Sequence, residues 1–342
     1  MMRRRTRWMI SLILIYILMV ACAALPAAQA QPSAAPASAA LTPAIITATA
    51  EAASPELAVS TESSPSALVK SGTYLETIQS GGQAREYIIH IPTPYDGTQA
   101  LPLVFVLHGF GGSDKEIARA TGMIAKADQE GFFAVFPNGT GTPGGWNDII
   151  IPQPVTTADD LSFFRDMINR FEQRLRVDPK RIYAAGLSNG GFMTYQLGAE
   201  LSDQLAAIAV VEGSIGTHEA GSSLVIPQPS GPLSVVIFHG EKDTTVPYNG
   251  GVSAGQLHLN YFSVADALAF WNKNDGCTQP PVKQTLKDGN VLTEDFSGCT
   301  EGSEVLLYTV TNGVHEWPTL QDHEAYSATD AIWNFFSKHP KP

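Results

Sequence analysis

The sequence predicts an α/β fold, with a mostly parallel, doubly wound sheet and helices on both of its faces. Short continuous apolar runs, such as residues 103–107 and 235–238, mark strands buried on both sides. Longer segments between them carry helical spacing: in 159–175 the apolar residues include Leu161, Phe164, Ile168, Phe171 and Leu175. Strands that alternate with helices are joined by crossovers, which makes the sheet parallel.

Taken in order, strands are predicted at 74–78, 85–91 and 103–107. Residues 114–129 read as one helix with an acidic first turn. A strand at 132–136, a helix at 159–175, a strand at 181–185 and a helix at 189–201 follow. Strands at 206–211 and 235–238, a helix at 264–271, a strand at 305–310 and a closing helix at 325–336 complete the pattern. No internal repeat is evident.

Upstream of this pattern the composition changes. Arg3, Arg4, Arg5 and Arg7 precede a nearly unbroken apolar run at 8–25, and Ala28-Gln29-Ala30 has the small-x-small form of a cleavage site. Residues 1–30 therefore read as a signal peptide. Two other fates stay open: lipid attachment at Cys22, and retention as a membrane anchor. All three put the domain outside the cytoplasm, either free or in the cell envelope. Residues 31–68 are rich in Ala, Pro, Ser and Thr and read as a disordered linker, unable to bury enough apolar surface to offset its ordering entropy. Residues 69–342 form the folded domain. Beyond Cys22, only Cys277 and Cys299 remain in an oxidising compartment. They are expected to form a disulfide closing a loop of about 20 residues, worth roughly 3 kcal/mol on the chain-entropy model.

Charge and motif content exclude several function classes. The formal net charge of −12 offers no electrostatic footprint for nucleic acid. No H-E-x-x-H spacing, cysteine cluster or phosphate-binding glycine loop is present, so neither a metal nor a cofactor is expected.

The sharpest signal is Gly186-Leu187-Ser188-Asn189-Gly190 between a buried strand and a helix. A nucleophile elbow requires that context: small flanking residues permit the tight turn, and the serine hydroxyl projects above the sheet. Serine needs a base and an orienting acid, and on such a sheet they follow it in the order acid, then histidine. The strand at 235–238 runs into His239-Gly240-Glu241-Lys242-Asp243, which makes Asp243 the candidate acid and Glu241 its competitor. His258, His315, His323 and His339 follow; His315 sits just beyond the strand at 305–310 and is the candidate base. His239 reads as a residue that orders the acid loop. The oxyanion requires two preorganised donors. Asn189 supplies one backbone N–H, and Phe110, in His108-Gly109-Phe110-Gly111-Gly112, supplies the other. His108 reads as an anchor of that loop. Trp146 and Asn147, in a Gly/Pro-rich loop, are candidates for the substrate pocket; the alternative for Trp146 is a plug against the core.

Together with Val246-Pro247-Tyr248 and His315-Glu316-Trp317-Pro318, these segments resemble the polyhydroxybutyrate depolymerase and feruloyl esterase group of secreted esterases. The resemblance spans roughly residue 73 to the C-terminus. It implies an α/β-hydrolase fold, no metal, and a serine carboxylic ester hydrolase acting on short-chain, hydroxyacyl or feruloyl esters. It also implies catalysis by Ser188, Asp243 and His315, with a plant cell-wall polysaccharide or a polyhydroxyalkanoate as the polymer. By the same resemblance, Asp159 and Asp160 open the helix after the Trp146 loop, where a capping role is expected. A serine peptidase on the same fold and a non-catalytic polymer-binding surface protein are the alternatives.

Overall fold

The computed structural model describes residues 58–59, 70–93, 95–152, 155–219, 221–255, 258–286, 289–319 and 326–342. The expected signal peptide, and the linker apart from residues 58–59, lie outside the described residues, as does His323.

Among the described residues the central sheet has eleven strands: β1 (Ala58–Val59), β2 (Gly72–Ser80), β3 (Gln83–Ile91), β4 (Leu101–Leu107), β5 (Phe133–Pro137), β6 (Val177–Leu187), β7 (Ala207–Val211), β10 (Ser234–Gly240), β13 (Val282–Thr285), β14 (Val291–Phe296) and β15 (Val305–Val310). Their spatial order is β1-β2-β3-β5-β4-β6-β7-β10-β15-β14-β13. The six central strands, from β5 to β15, are mutually parallel. Antiparallel pairs flank them, with β2–β3–β5 on one side and β15–β14–β13 on the other.

Side-chain alternation along the central strands divides the interior into two cores. Phe105, Ala184, Val210 and Ile237 pack with α3 (Asp160–Arg174), α4 (Asn189–Glu200) and α5 (Val264–Asn274). Their neighbours Val104, Ala185, Ala209 and Phe238 pack with α1 (Asp114–Ala120), α2 (Met123–Glu130) and α6 (Ala328–Phe336). Because both faces are covered, these strands read as unbroken apolar runs.

Three features differ from the sequence expectation. The single helix expected at 114–129 is two helices: Gly122 lies in the left-handed region at φ 68°, and the Thr121 hydroxyl donates to the Ile117 carbonyl at 2.8 Å. A second, antiparallel sheet joins β11 (Gly251–Val252), β12 (Asn260–Tyr261), β8 (Gly216–Glu219) and β9 (Ser222–Val225). The β13–β14 hairpin extends the main sheet, and the expected Cys277–Cys299 disulfide brackets it. These strands are short or solvent-facing, so they carry no continuous apolar run.

Asp159 and Asp160 play different parts. Asp159 caps α3, accepting the Ser162 N–H at 2.9 Å. Asp160 is buried and accepts from Arg85 at 2.6 Å. Burial raises the Asp160 carboxyl above its usual range, and the Arg85 charge pulls it back toward the ionised form. The other Asp160 oxygen accepts the Asn147 N–H at 2.8 Å, which ties the loop after β5 to the helix. Removing one member of such a pair leaves a buried, uncompensated charge. Asp160→Ala is therefore expected to lower the unfolding free energy by about 3–5 kcal/mol. For the Lys283–Glu294 pair, whose lysine is exposed, Glu294→Ala should cost at most about 1 kcal/mol. Urea denaturation of the two variants checks the contrast.

Candidate active site

The candidate residues gather at the carboxyl ends of the parallel strands. His108 to Gly112 follow β4, Ser188 follows β6, Asp243 follows β10 and His315 follows β15. Convergent strands with loops at one edge form a crevice there.

Ser188 turns the chain from β6 into α4 at φ 57°, ψ −122°. A non-glycine residue there is strained, and neighbouring structure has to hold it. Its N–H donates to the Val211 carbonyl at 3.0 Å, and its carbonyl accepts the Phe192 N–H at 2.9 Å. Two glycines make the turn sterically feasible. A Cβ on Gly186 would run into the Gly190 carbonyl. One on Gly190 would lie 2.5 Å from the His108 oxygen and 2.6 Å from the Leu107 oxygen. The elbow is thereby seated against the end of β4, where Gly109 faces Ser188.

A polar network fixes the loop after β4. His108 Nε2 accepts the Gly139 N–H at 2.9 Å, which assigns the ring proton to Nδ1, and Nδ1–H donates to the Gly109 carbonyl at 2.8 Å. Burial lowers the His108 pKa and keeps the ring neutral. Gly111 N–H donates to the Gly144 carbonyl at 2.7 Å. Trp146 is wholly buried: its indole N–H donates to the His108 carbonyl at 2.8 Å and its backbone N–H to Asn189 Oδ1 at 2.9 Å. Asn147 is tied to Asp160 and to the Ala158 carbonyl. Trp146 is thus the plug against the core that the sequence offered as its alternative, and neither it nor Asn147 lines the cavity beside Ser188. The tryptophan fills the core behind the loop after β4 because its one polar atom finds a carbonyl there.

Asp243 and His315 meet. His315 Nδ1 donates to Asp243 Oδ2 at 2.7 Å, and Asp243 Oδ1 accepts the Thr245 and Val246 N–H groups at 2.7 and 2.9 Å. Burial alone raises the Asp243 carboxyl; the neighbouring His239, His315 and Glu212 side chains outweigh it and hold the group well below the usual carboxylate range. Glu241 is exposed and Asp243 buried, which separates the two competitors. His239 orders this turn, donating from Nε2 to the Val246 carbonyl at 2.8 Å. Of the other histidines, His258 is exposed, and His339 lies 3.3 Å from Glu304 beside the C-terminal helix.

Ser188, Asn189, Phe110 and His315 line one cavity of about 290 Å³. Its remaining wall is largely apolar, with Ile151, Phe192, Val246 and Tyr261. Two buried carboxyl groups near this cavity were not foreseen from the sequence. Glu212 directly follows the apolar strand β7, a break in hydrophobicity that could have signalled it. Asp148 lies behind Asn189, whose Nδ2 donates to it at 2.5 Å. Asp148 also accepts the Ile150 and Ile151 N–H groups. Burial pushes its carboxyl up to about 7 against these donors.

No protein-family model matches the chain. Feruloyl esterase B of Piromyces equi is 31% identical over 235 residues, covering 68% of this chain and 42% of that protein. A probable feruloyl esterase C of Aspergillus clavatus is 28% identical over 264 residues, covering 74% and 83%. The chain thus spans less than half the length of the first relative and most of the second. Among solved structures, acetyl xylan esterase from Aspergillus awamori superposes with a TM-score of 0.54 at 14% identity, over 77% of this chain and 98% of that one. The chain has the α/β-hydrolase fold and is similar in sequence to these esterases.

Two expectations test how this α/β-hydrolase holds its site. Gly190→Ala forces a methyl group against two backbone carbonyls that cannot move aside, and is expected to cost about 3 kcal/mol of stability in thermal or urea unfolding. Asp148 rises from 3.8 to about 7 on folding. Its contribution to stability is therefore present below 3.8 and lost as pH rises through about 7. The difference in unfolding free energy between wild type and Asp148→Asn should decline across that window. A difference independent of pH would refute the assignment.

Proposed function

We propose that the chain is a serine carboxylic ester hydrolase that works through an acyl-enzyme. The carrying observation is the Asp243–His315 hydrogen bond at 2.7 Å, facing the same cavity as the strained Ser188 elbow. His315 Nε2 takes the proton of the Ser188 hydroxyl as its oxygen attacks the ester carbonyl. Asp243 holds the ring by its Nδ1–H and stabilises the imidazolium that forms. The backbone N–H groups of Asn189 and Phe110 donate to the developing oxyanion. His315 then protonates the departing alcohol. Water then gives a proton to His315 as its oxygen attacks the acyl carbon, and His315 returns that proton to the Ser188 oxygen as the acyl–serine bond breaks, which releases the acid and free Ser188.

The apolar wall favours an uncharged acyl group. A cavity of about 290 Å³ suits a single short or aromatic acyl group rather than a length of polymer. The feruloyl esterase relatives support feruloyl esters as substrates, and the sequence resemblance implies a plant cell-wall polysaccharide as the polymer. Hydroxyacyl esters of a polyhydroxyalkanoate fit the same cavity chemistry. The signal read at residues 1–30 supports action outside the cytoplasm.

Initial rates on acetyl, butyryl, feruloyl and 3-hydroxybutyryl esters test this proposal. Ser188→Ala should lower kcat by a factor on the order of 10⁶. Asp243→Asn should lower it by about 10⁴ with little change in KM. Retained turnover in Ser188→Ala removes the serine mechanism. Absence of turnover on every ester by folded wild type points instead to a peptidase or a binding protein.

A further inference from the structure

Asp243 is not the only buried carboxyl group beside the base. Glu212, at the end of β7, is 1% exposed and adopts φ 51°. Its backbone N–H donates to the Phe238 carbonyl at 2.9 Å, and its Oε1 accepts the Gly240 N–H at 3.0 Å. The neighbouring strand end thus orients the side chain. Glu212, His239 and Asp243 each offer an atom within 4.8 Å of the others.

We propose that Glu212 is a positioning residue of the active site, a neutral carboxylic acid whose O–H donates to Asp243 and holds it for His315. This rests on the reading of Asp243 and His315 as acid and base.

The hydrogen-bond inventory carries the argument. Asp243 accepts two backbone N–H groups and the His315 N–H, a set of donors that suits an anion. Glu212 Oε2 accepts from no donor among the described residues. It lies 3.3 Å from His239 Nε2, but that N–H is committed to the Val246 carbonyl at 2.8 Å. As an anion, Oε2 would be a buried charge without a donor next to a second carboxylate. As an O–H, it has the Asp243 carboxylate as its acceptor. Two carboxyl groups this close share one proton, and the one with more hydrogen-bond donors, Asp243, stays charged. The other ionisable groups facing Glu212 do not favour its anion: Asp243 and Glu316 both oppose the charge. Tyr326 faces it as well, with its phenol pushed up by burial. Burial itself moves the Glu212 carboxyl in the same direction. The three clustered residues also resemble a metal site, but His239 Nε2 cannot ligate a cation while it donates to a carbonyl.

The experiment compares wild type, Glu212→Gln and Glu212→Ala in the full chain. Gln mimics a neutral acid in size and in having a donor. Infrared spectra of wild type near neutral pH should contain a protonated-carboxyl carbonyl band that disappears in Glu212→Gln. The Gln variant should keep kcat/KM within about twofold, with the acid limb of its pH profile unmoved. Glu212→Ala should lose about 10–100-fold in kcat with KM little changed. Three results overturn the proposal: no such band in wild type, an acid limb that moves to lower pH in Glu212→Gln, or an unaltered kcat and pH profile in Glu212→Ala. If the Ala variant fails to fold, the band and the Gln profile still decide. The infrared result does not depend on turnover, so failure of the esterase reading is distinguishable from failure of this one.

Discussion

The structure of the site depends on one close approach, that of the α4 N-terminus to the carboxyl end of β4. Gly190 permits it, because any side chain there meets the Leu107 and His108 carbonyls. The approach forces Ser188 into a strained backbone conformation, and the surrounding sheet holds the strain: the Ser188 N–H is bonded to the neighbouring strand β7. The same approach brings the loop after β4 beside the first turn of α4. Both proposed oxyanion donors, Phe110 and Asn189, therefore derive from one steric constraint.

Around that contact the protein buries several carboxyl groups, and the donors around each set its state. Asp160 has a guanidinium, Asp148 has three N–H groups, and Asp243 has two backbone N–H groups and a histidine. Glu212 has one backbone N–H and an acceptor. Burial opposes every one of these charges, so the number and kind of donors decide which group stays ionised. Asp160 and Asp148 hold the backbone of residues 147–151 from behind. Trp146 completes that support, bonded to both His108 and Asn189. The loop after β5 is thus a scaffold for the site and, through Ile151, also part of the cavity wall.

Strand ends and the elbow were legible in the sequence because they rest on local rules. Buried strands read as apolar runs, and the elbow needs glycine within two residues of the serine. The position of Asp243 followed from the chain order and the strand before it. Elements stabilised by distant partners were not legible. The turn at Thr121-Gly122 was hidden inside a helical pattern, and the second sheet has strands of two to four residues. The part played by Trp146 depends on the His108 carbonyl 38 residues away. Glu212 lies only one residue beyond a strand, but its significance appears only when β10 brings Asp243 beside it.

The sequence by itself determined the class of the fold, the order of its main elements, the serine turn and the disulfide pair. Each of these is encoded in residue type, spacing or the count of available partners. Tertiary structure alone decided between Asp243 and its competitor Glu241, which aromatic residue faces the cavity and which is core, and which donors each buried carboxyl group meets. Those outcomes depend on donors and acceptors contributed by strands remote in the chain, and on desolvation that exists only once the sheet has closed over them.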